Sequence, residues 1–277
     1  MVVSRFYLKD FYPFLGEDGR NPTVDAYLPY NLKEMDRQDE MRPAMVVCPG
    51  GAYHFCSERE AEPVALKFLD IGYNVFVLYY STEPHRYPAQ LSEVAALFDY
   101  INKNAAELHC DTGKIGIIGF SAGGHLAAHY SNLWDDRILK DKFGASYKPA
   151  ASVLCYPVIS TENAHRGSFE NLLGYFPETE AEINRFSCEK LVGSQTPPTF
   201  IFHTAPDTTV PVQNSICYAN ALANNHIPFE MHVYPFGSHG ISTSDKLTLN
   251  SPNRETVYVA DWVEKAKKWL EVTFKNS

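Results

Sequence analysis

From residue 44 onward, short apolar, β-rich runs alternate with segments of helical period, and this alternation restricts the fold more than any other feature of the chain. Ala44–Cys48, Asn74–Tyr80, Lys114–Ile118, Ala151–Cys155, Thr199–His203 and Phe229–Tyr234 read as strands. Their near-continuous apolarity suits a sheet covered on both faces. Leu91, Val94, Ala95 and Phe98 fall at i, i+3, i+4 and i+7, and Val259, Trp262, Val263, Ala266 and Leu270 repeat that pattern near the end of the sequence. The expected fold class is therefore α/β: a mainly parallel, doubly wound sheet with helices on both faces. Such sheets place their ligands at the carboxyl ends of the strands. An N-terminal strand pair, about Phe6 to Leu28, precedes this unit, and the charged stretch 31–43 joins the two as a surface loop.

With 277 residues, 45% of them hydrophobic, the chain has enough apolar surface for one domain of this kind, spanning 1–277. Residues 157–198 interrupt the alternation with weak periodicity and several aromatics. A small lid-like insertion and a plain surface excursion both fit that stretch. The formal charge of -9 argues against a phosphate-binding face, so nucleic acid is not an expected partner. The opening residues lack the apolar run of a signal peptide, and no stretch is long and apolar enough to span a bilayer. The expectation is a cytoplasmic protein that does not enter a membrane; a homo-oligomer is compatible with the sequence, which does not require one. Cys48, Cys56, Cys110, Cys155, Cys188 and Cys217 show no CxxC spacing and read as reduced, mostly packed thiols. No ligand cluster calls for a metal, and no organic cofactor is expected.

Chemistry enters at Gly119-Phe120-Ser121-Ala122-Gly123, a G-x-S-x-G pattern between the apolar run Ile115–Ile118 and the helix-forming stretch after Gly124. A strand, a sharp turn and a helix would hold the Ser121 hydroxyl out toward a substrate. They would also leave the Ala122 N–H, at the first helical turn, without an intrahelical partner and free for a developing oxyanion. The alternative is a glycine-rich turn in which Ser121 only caps the helix. His125 and His129, in the helix that follows, read as packing residues.

A serine nucleophile needs a base, and the base needs an orienting carboxylate. Asp207 follows the strand Thr199–His203, although an aspartate in such a turn can simply bond its own backbone. His239 follows Phe229–Tyr234 within Gly237-Ser238-His239-Gly240. His203 and His232 lie within strands and His226 at a polar helix end, so each is more simply explained as packed or solvated. Gly51 and Ala52, in the turn Pro49-Gly50-Gly51-Ala52-Tyr53 after an earlier strand, are the remaining oxyanion donors.

The chain order Ser, Asp, His is the one that α/β-hydrolases use. Pro49–Tyr53, Gly119–Ala127, Asp207–Pro211 and Ser238-His239-Gly240, with Arg59–Ala65 and Gly72–Tyr79, together resemble the acetyl-xylan-esterase-like branch of those serine esterases, from about residue 40 onward. Pro49 stands where the hormone-sensitive-lipase group has the histidine of its His-Gly-Gly-Gly motif, and Ala52 occupies the third glycine position, which narrows the acyl side. The resemblance implies hydrolysis of short acetyl esters on sugars or xylo-oligosaccharides, with a small-molecule ester as partner. Tyr53, Tyr234 and Phe236 are the substrate-binding candidates, with Tyr87 beside them; all could stack on sugar rings or equally be core or wall. A small-amide hydrolase or peptidase on the same scaffold is the enzymatic alternative. A ligand-binding homologue without catalysis is the alternative of another class.

Overall fold

Eight strands form one sheet in the computed structural model, which describes residues 1–163 and 165–275. They are β1 (Val2–Tyr7), β2 (Thr23–Leu28), β3 (Arg42–Cys48), β4 (Asn74–Tyr79), β5 (Cys110–Phe120), β6 (Ala151–Cys155), β7 (Thr199–Thr204) and β8 (Phe229–Tyr234). Their order is β1-β2-β4-β3-β5-β6-β7-β8. β1 and β2 pair antiparallel, as do β2 and β4, and every later pairing is parallel. This is the doubly wound sheet expected from the alternation. β5 begins five residues before its apolar run does, because Asp111 to Lys114 pass through a solvent-facing, bulged start that hydropathy does not mark.

The uniform apolarity of the central strands hides an alternation that the two faces make visible. On β3, Ala44, Val46 and Cys48 belong to one core cluster, whereas Met45 and Val47 belong to the other. The first face is covered by α2 (Ala89–Lys103), α4 (Ala122–Leu133) and α8 (Gln213–Asn224), and the second by α1 (Glu62–Leu69), α9 (Arg254–Val259) and α10 (Trp262–Lys275). Each fully buried Val, Ile, Leu or Phe contributes about 1.5–3 kcal/mol to this two-sided core. The C-terminal apolar pattern is carried by two helices, not one: the chain turns at Ala260 and Asp261, yet Val259, Trp262, Val263, Ala266 and Leu270 all stay buried. Trp262 lies flat against Phe202 of β7, with centroids 4.8 Å apart. The short helix α3 (Ala105–Leu108) leads into β5, and α5 (Arg137–Phe143) follows α4.

Residues 157–198 are more ordered than their weak periodicity suggests. They contain α6 (Arg166–Leu173) and α7 (Glu180–Phe186), and they bury Val158, Ile159, Phe169, Phe186 and Cys188. Phe169 packs edge-on to His125, and Phe186 contacts His129. Helices this short return their apolar residues to the core at irregular spacing, which explains the missing period. No helix of the described residues is long and apolar enough to cross a membrane.

Candidate active site

Ser121 occupies the bend between β5 and α4 with φ 52° and ψ -119°, a backbone region costly for any residue with a Cβ. The bend can be this tight only because the helix comes in against bare backbone. A Cβ on Gly123 would stand 2.2 Å from the Cys48 carbonyl oxygen. The result points the hydroxyl toward the carboxyl ends of β3, β7 and β8, where the loops bearing the other candidates converge.

The structure brings Ser121, His239 and Asp207 into one chain of hydrogen bonds. His239 Nε2 lies 2.8 Å from Ser121 Oγ, and His239 Nδ1 lies 2.6 Å from Asp207 Oδ2. Asp207 Oδ1 accepts the N–H groups of Thr209 and Val210 at 3.0 and 2.9 Å, fixing the carboxylate plane. Burial pushes the Asp207 carboxyl up, but the His203 and His239 imidazoles and the Val210 N–H outweigh it and hold the group well below the usual carboxylate range. With the carboxylate ionised, His239 is held with its proton on Nδ1 and an acceptor facing the serine. His203, read from sequence as a strand residue, is fully buried; its Nε2 bonds the Val210 carbonyl and lies 3.5 Å from Asp207 Oδ2.

Ser121 opens into a cavity of about 170 Å³ that Gly51, Ala52, Phe55, Arg59, Glu60, His165 and Thr209 line together with His239. Gly51 has φ +122°, where a side chain is strained, and a Cβ there would meet the Phe55 carbonyl oxygen at 2.1 Å. Ala52 follows with φ 54°. Neither N–H, nor that of Ala122 at the start of α4, donates to a protein acceptor among the described residues. The Ala52 carbonyl accepts from Asn171 Nδ2 at 2.9 Å, so α6 of the 157–198 stretch secures this turn.

The aromatic candidates Tyr53, Tyr234 and Phe236, and Tyr87 beside them, lie outside the cavity lining, which favours the core or wall use that the sequence left open over stacking on a sugar. Tyr53 is 1% exposed, and its hydroxyl is 2.8 Å from His125 Nδ1, so it serves the core beneath the turn and not the cavity. Tyr234 is buried against Phe202, and its hydroxyl has no protein partner among the described residues. Phe236 is exposed beside Tyr258, outside the cavity lining. Tyr87 packs on Phe186 and accepts from Arg185. Loop side chains next to a catalytic motif point inward or outward according to local φ and ψ, which hydropathy does not encode.

Conversely, Glu60, Arg59 and His165 line the cavity without having been singled out. Arg59 and Glu60 sit in the stretch 59–65 that contributes to the family resemblance, so a signal for them was present. His165 lies in the aperiodic insertion and had none. Burial, then the nearby His239, lower the proton affinity of His165. His125 and His129 pack as the sequence suggests: their Nε2 atoms bond the carbonyls of Phe186 and Arg185, and burial depresses His125 to about 4. All six cysteines are free thiols.

Among known proteins, endo-1,4-beta-xylanase B of Butyrivibrio fibrisolvens is 37% identical over 231 residues, covering 79% of this chain and 36% of that protein. An acetylxylan esterase of Xylanibacter ruminicola is 30% identical over 246 residues, covering 87% of this chain and 48% of that one. The chain thus spans half or less of the length of these two relatives. Among solved structures, the acetyl ester-xyloside bifunctional hydrolase of Caldicellulosiruptor lactoaceticus superposes with a TM-score of 0.83 at 33% identity, covering 97% of this chain and 96% of that one. The BD-FAE family model matches residues 24–222, a span that includes Ser121 and Asp207. On that match, and on a sheet order and bend that place the two residues at strand ends, the chain belongs to the BD-FAE family and has the α/β-hydrolase fold.

Proposed function

We propose that this protein is a serine esterase that removes short acyl groups, acetyl above all, from the hydroxyls of sugars or xylo-oligosaccharides. The observation that carries the reading is the cavity at Ser121, which is small, about 170 Å³, and sets the polar side chains of Arg59, Glu60, His165 and Thr209 beside Phe55. Pockets for drug-sized ligands run from roughly 300 to 1,000 Å³, so a long acyl chain finds too little room here. A hydroxyl-rich leaving group finds donors and acceptors. The names borne by the relatives from Xylanibacter ruminicola and Caldicellulosiruptor lactoaceticus, acetylxylan esterase and acetyl ester-xyloside hydrolase, support the same substrate class.

In this mechanism Ser121 Oγ attacks the ester carbonyl while His239 Nε2 takes its proton, and Asp207 stabilises the imidazolium. The N–H groups of Gly51, Ala52 and Ala122 donate to the oxyanion, with the dipole of α4 aligned behind it. His239 then returns the proton to the departing sugar oxygen, leaving an acyl group on Ser121 that water removes by the same route. Residues 157–198 act as a fixed cover that contributes His165 to one wall.

The test is hydrolysis of p-nitrophenyl acetate, p-nitrophenyl octanoate and an acetylated xylo-oligosaccharide by the wild type and by Ser121→Ala. We expect acetate to exceed octanoate, the oligosaccharide to be deacetylated, and Ser121→Ala to lose at least about 10³-fold in kcat with its circular dichroism unchanged. Octanoate outrunning acetate would remove the short-acyl reading. Activity on acyl-anilides exceeding that on esters would favour an amidase, and a folded wild type inert to all of these would leave a binding protein.

A further inference from the structure

Glu60 is a carboxylate that the triad does not use, yet it lies at the base of the catalytic cavity with only 3% of its surface exposed. It forms no ion pair within 4.0 Å among the described residues, an arrangement that is expensive unless its oxygens are otherwise satisfied. Both are satisfied, on two different loops. Oε2 accepts the Gly50 N–H at 2.8 Å, at the root of the turn that carries Gly51 and Ala52. Oε1 accepts the Tyr156 hydroxyl at 2.7 Å.

Tyr156 in turn joins the histidine loop. Its hydroxyl oxygen accepts the Ser242 N–H at 2.9 Å, and its ring stands edge-on to His239 with centroids 5.1 Å apart. Ser242 closes the circuit by donating its own hydroxyl to the Arg59 carbonyl at 2.6 Å, next to Glu60 in the chain. One buried carboxylate therefore touches the proposed oxyanion turn on one side and, through a single phenol, the loop that bears the catalytic histidine on the other.

We infer that Glu60 is a positioning residue for catalysis: it sets the distance between the oxyanion turn and the His239 loop through Gly50 and Tyr156. The inference rests on the triad reading above. The ionisable and charged groups around Glu60 are Arg59 beside it in the chain, His239 on the loop after β8, Cys155 and Tyr156 at the end of β6, Cys56 on the turn after β3, and Tyr80 after β4. Only Arg59 and a protonated His239 bring positive charge, and neither bonds the carboxylate. Burial raises the Glu60 carboxyl above its ordinary value, opposed by Tyr156, the Gly50 N–H and His239.

Two variants separate positioning from mere support. Glu60→Gln keeps an acceptor for Gly50 but removes the charge, and Tyr156→Phe keeps the ring against His239 but removes the link. We expect each to lower kcat for p-nitrophenyl acetate about 10- to 100-fold with KM changed less than about 3-fold, as a displaced constellation does. The double variant should be no worse than the poorer single one, because both cut the same linkage. Labelling of Ser121 by a fluorophosphonate in wild-type protein checks the triad separately: an unlabelled, folded wild type would defeat the triad reading itself. Labelled wild type together with variants that keep wild-type kcat would overturn the role of Glu60 alone. So would activity falling only in step with the folded fraction measured by circular dichroism. Should Glu60→Gln not fold, Tyr156→Phe carries the same kcat and KM test.

Discussion

Asp207 divides its carboxylate between two tasks, one oxygen on the backbone of its own loop and one on His239. Asp207→Asn keeps the first and corrupts the second, because the amide nitrogen would face Nδ1 and favour the wrong tautomer. Steady-state kinetics on p-nitrophenyl acetate should show kcat reduced by roughly 10⁴-fold in protein that still folds. The same residue links to acid stability. Its folded carboxyl is held below the unfolded value, so the stability it contributes is present above about pH 4 and disappears as the pH falls through the lower, folded value. Melting temperatures of wild type and Asp207→Asn between pH 3 and 6 should therefore converge toward the acid end. Ser121, Asp207 and His239 were legible in the sequence because each follows an apolar strand, and strand ends are where this architecture gathers side chains. Tyr53, Tyr234 and Phe236 were left between sugar stacking and core because adjacency to a motif does not say which way a side chain turns.

At the scale of elements, α2 is tied to the loop after β4 by Glu93, whose carboxylate accepts the N–H and hydroxyl of Ser81 at 2.7 and 2.6 Å. That loop supports the active-site turn in its own way, since the Glu83 N–H donates to the Tyr53 carbonyl. Burial raises the Glu93 carboxyl from the ordinary 4.5 to about 7, against the pull of the two Ser81 bonds. A raised carboxyl gives a stability contribution that is complete below about pH 4.5 and lost as the pH climbs through about 7. Glu93→Gln removes this dependence, so its melting temperature should fall less than that of the wild type between pH 5 and pH 8 in matched thermal scans. The helix itself was readable from Leu91, Val94, Ala95 and Phe98. The buried carboxylate on it was not, because a polar residue within an amphipathic pattern is assigned to solvent until a partner such as Ser81 is seen. The split between α9 and α10 escaped for a related reason: the turn at Ala260 and Asp261 leaves the buried face continuous, and periodicity follows the face.

Over the whole molecule, alternation in the sequence implied a parallel, two-faced sheet but not its order, since which strand neighbours which depends on crossovers that hydropathy does not record. The stretch 157–198 was the least legible part, and its packing argues that it unfolds with the sheet. Phe169 and Phe186 lie against the histidines of α4, and the Trp134 indole N–H donates to the Gln195 carbonyl at 3.0 Å. In a variant retaining Trp134 alone, with Trp262→Phe and Trp269→Phe, the urea midpoint from fluorescence should coincide with that from far-ultraviolet circular dichroism. An earlier fluorescence midpoint would mark the stretch as a separately melting cover. The close backbone contacts at Gly51 and Gly123 also have a bearing on directed evolution. At both positions backbone lies against backbone, so a mutant library that includes them fills with misfolded members. Phe55, Arg59, His165 and Thr209 present side chains to the cavity at Ser121, and under the proposed esterase reading diversity placed on those four changes which esters enter while leaving Ser121, Asp207 and His239 in place.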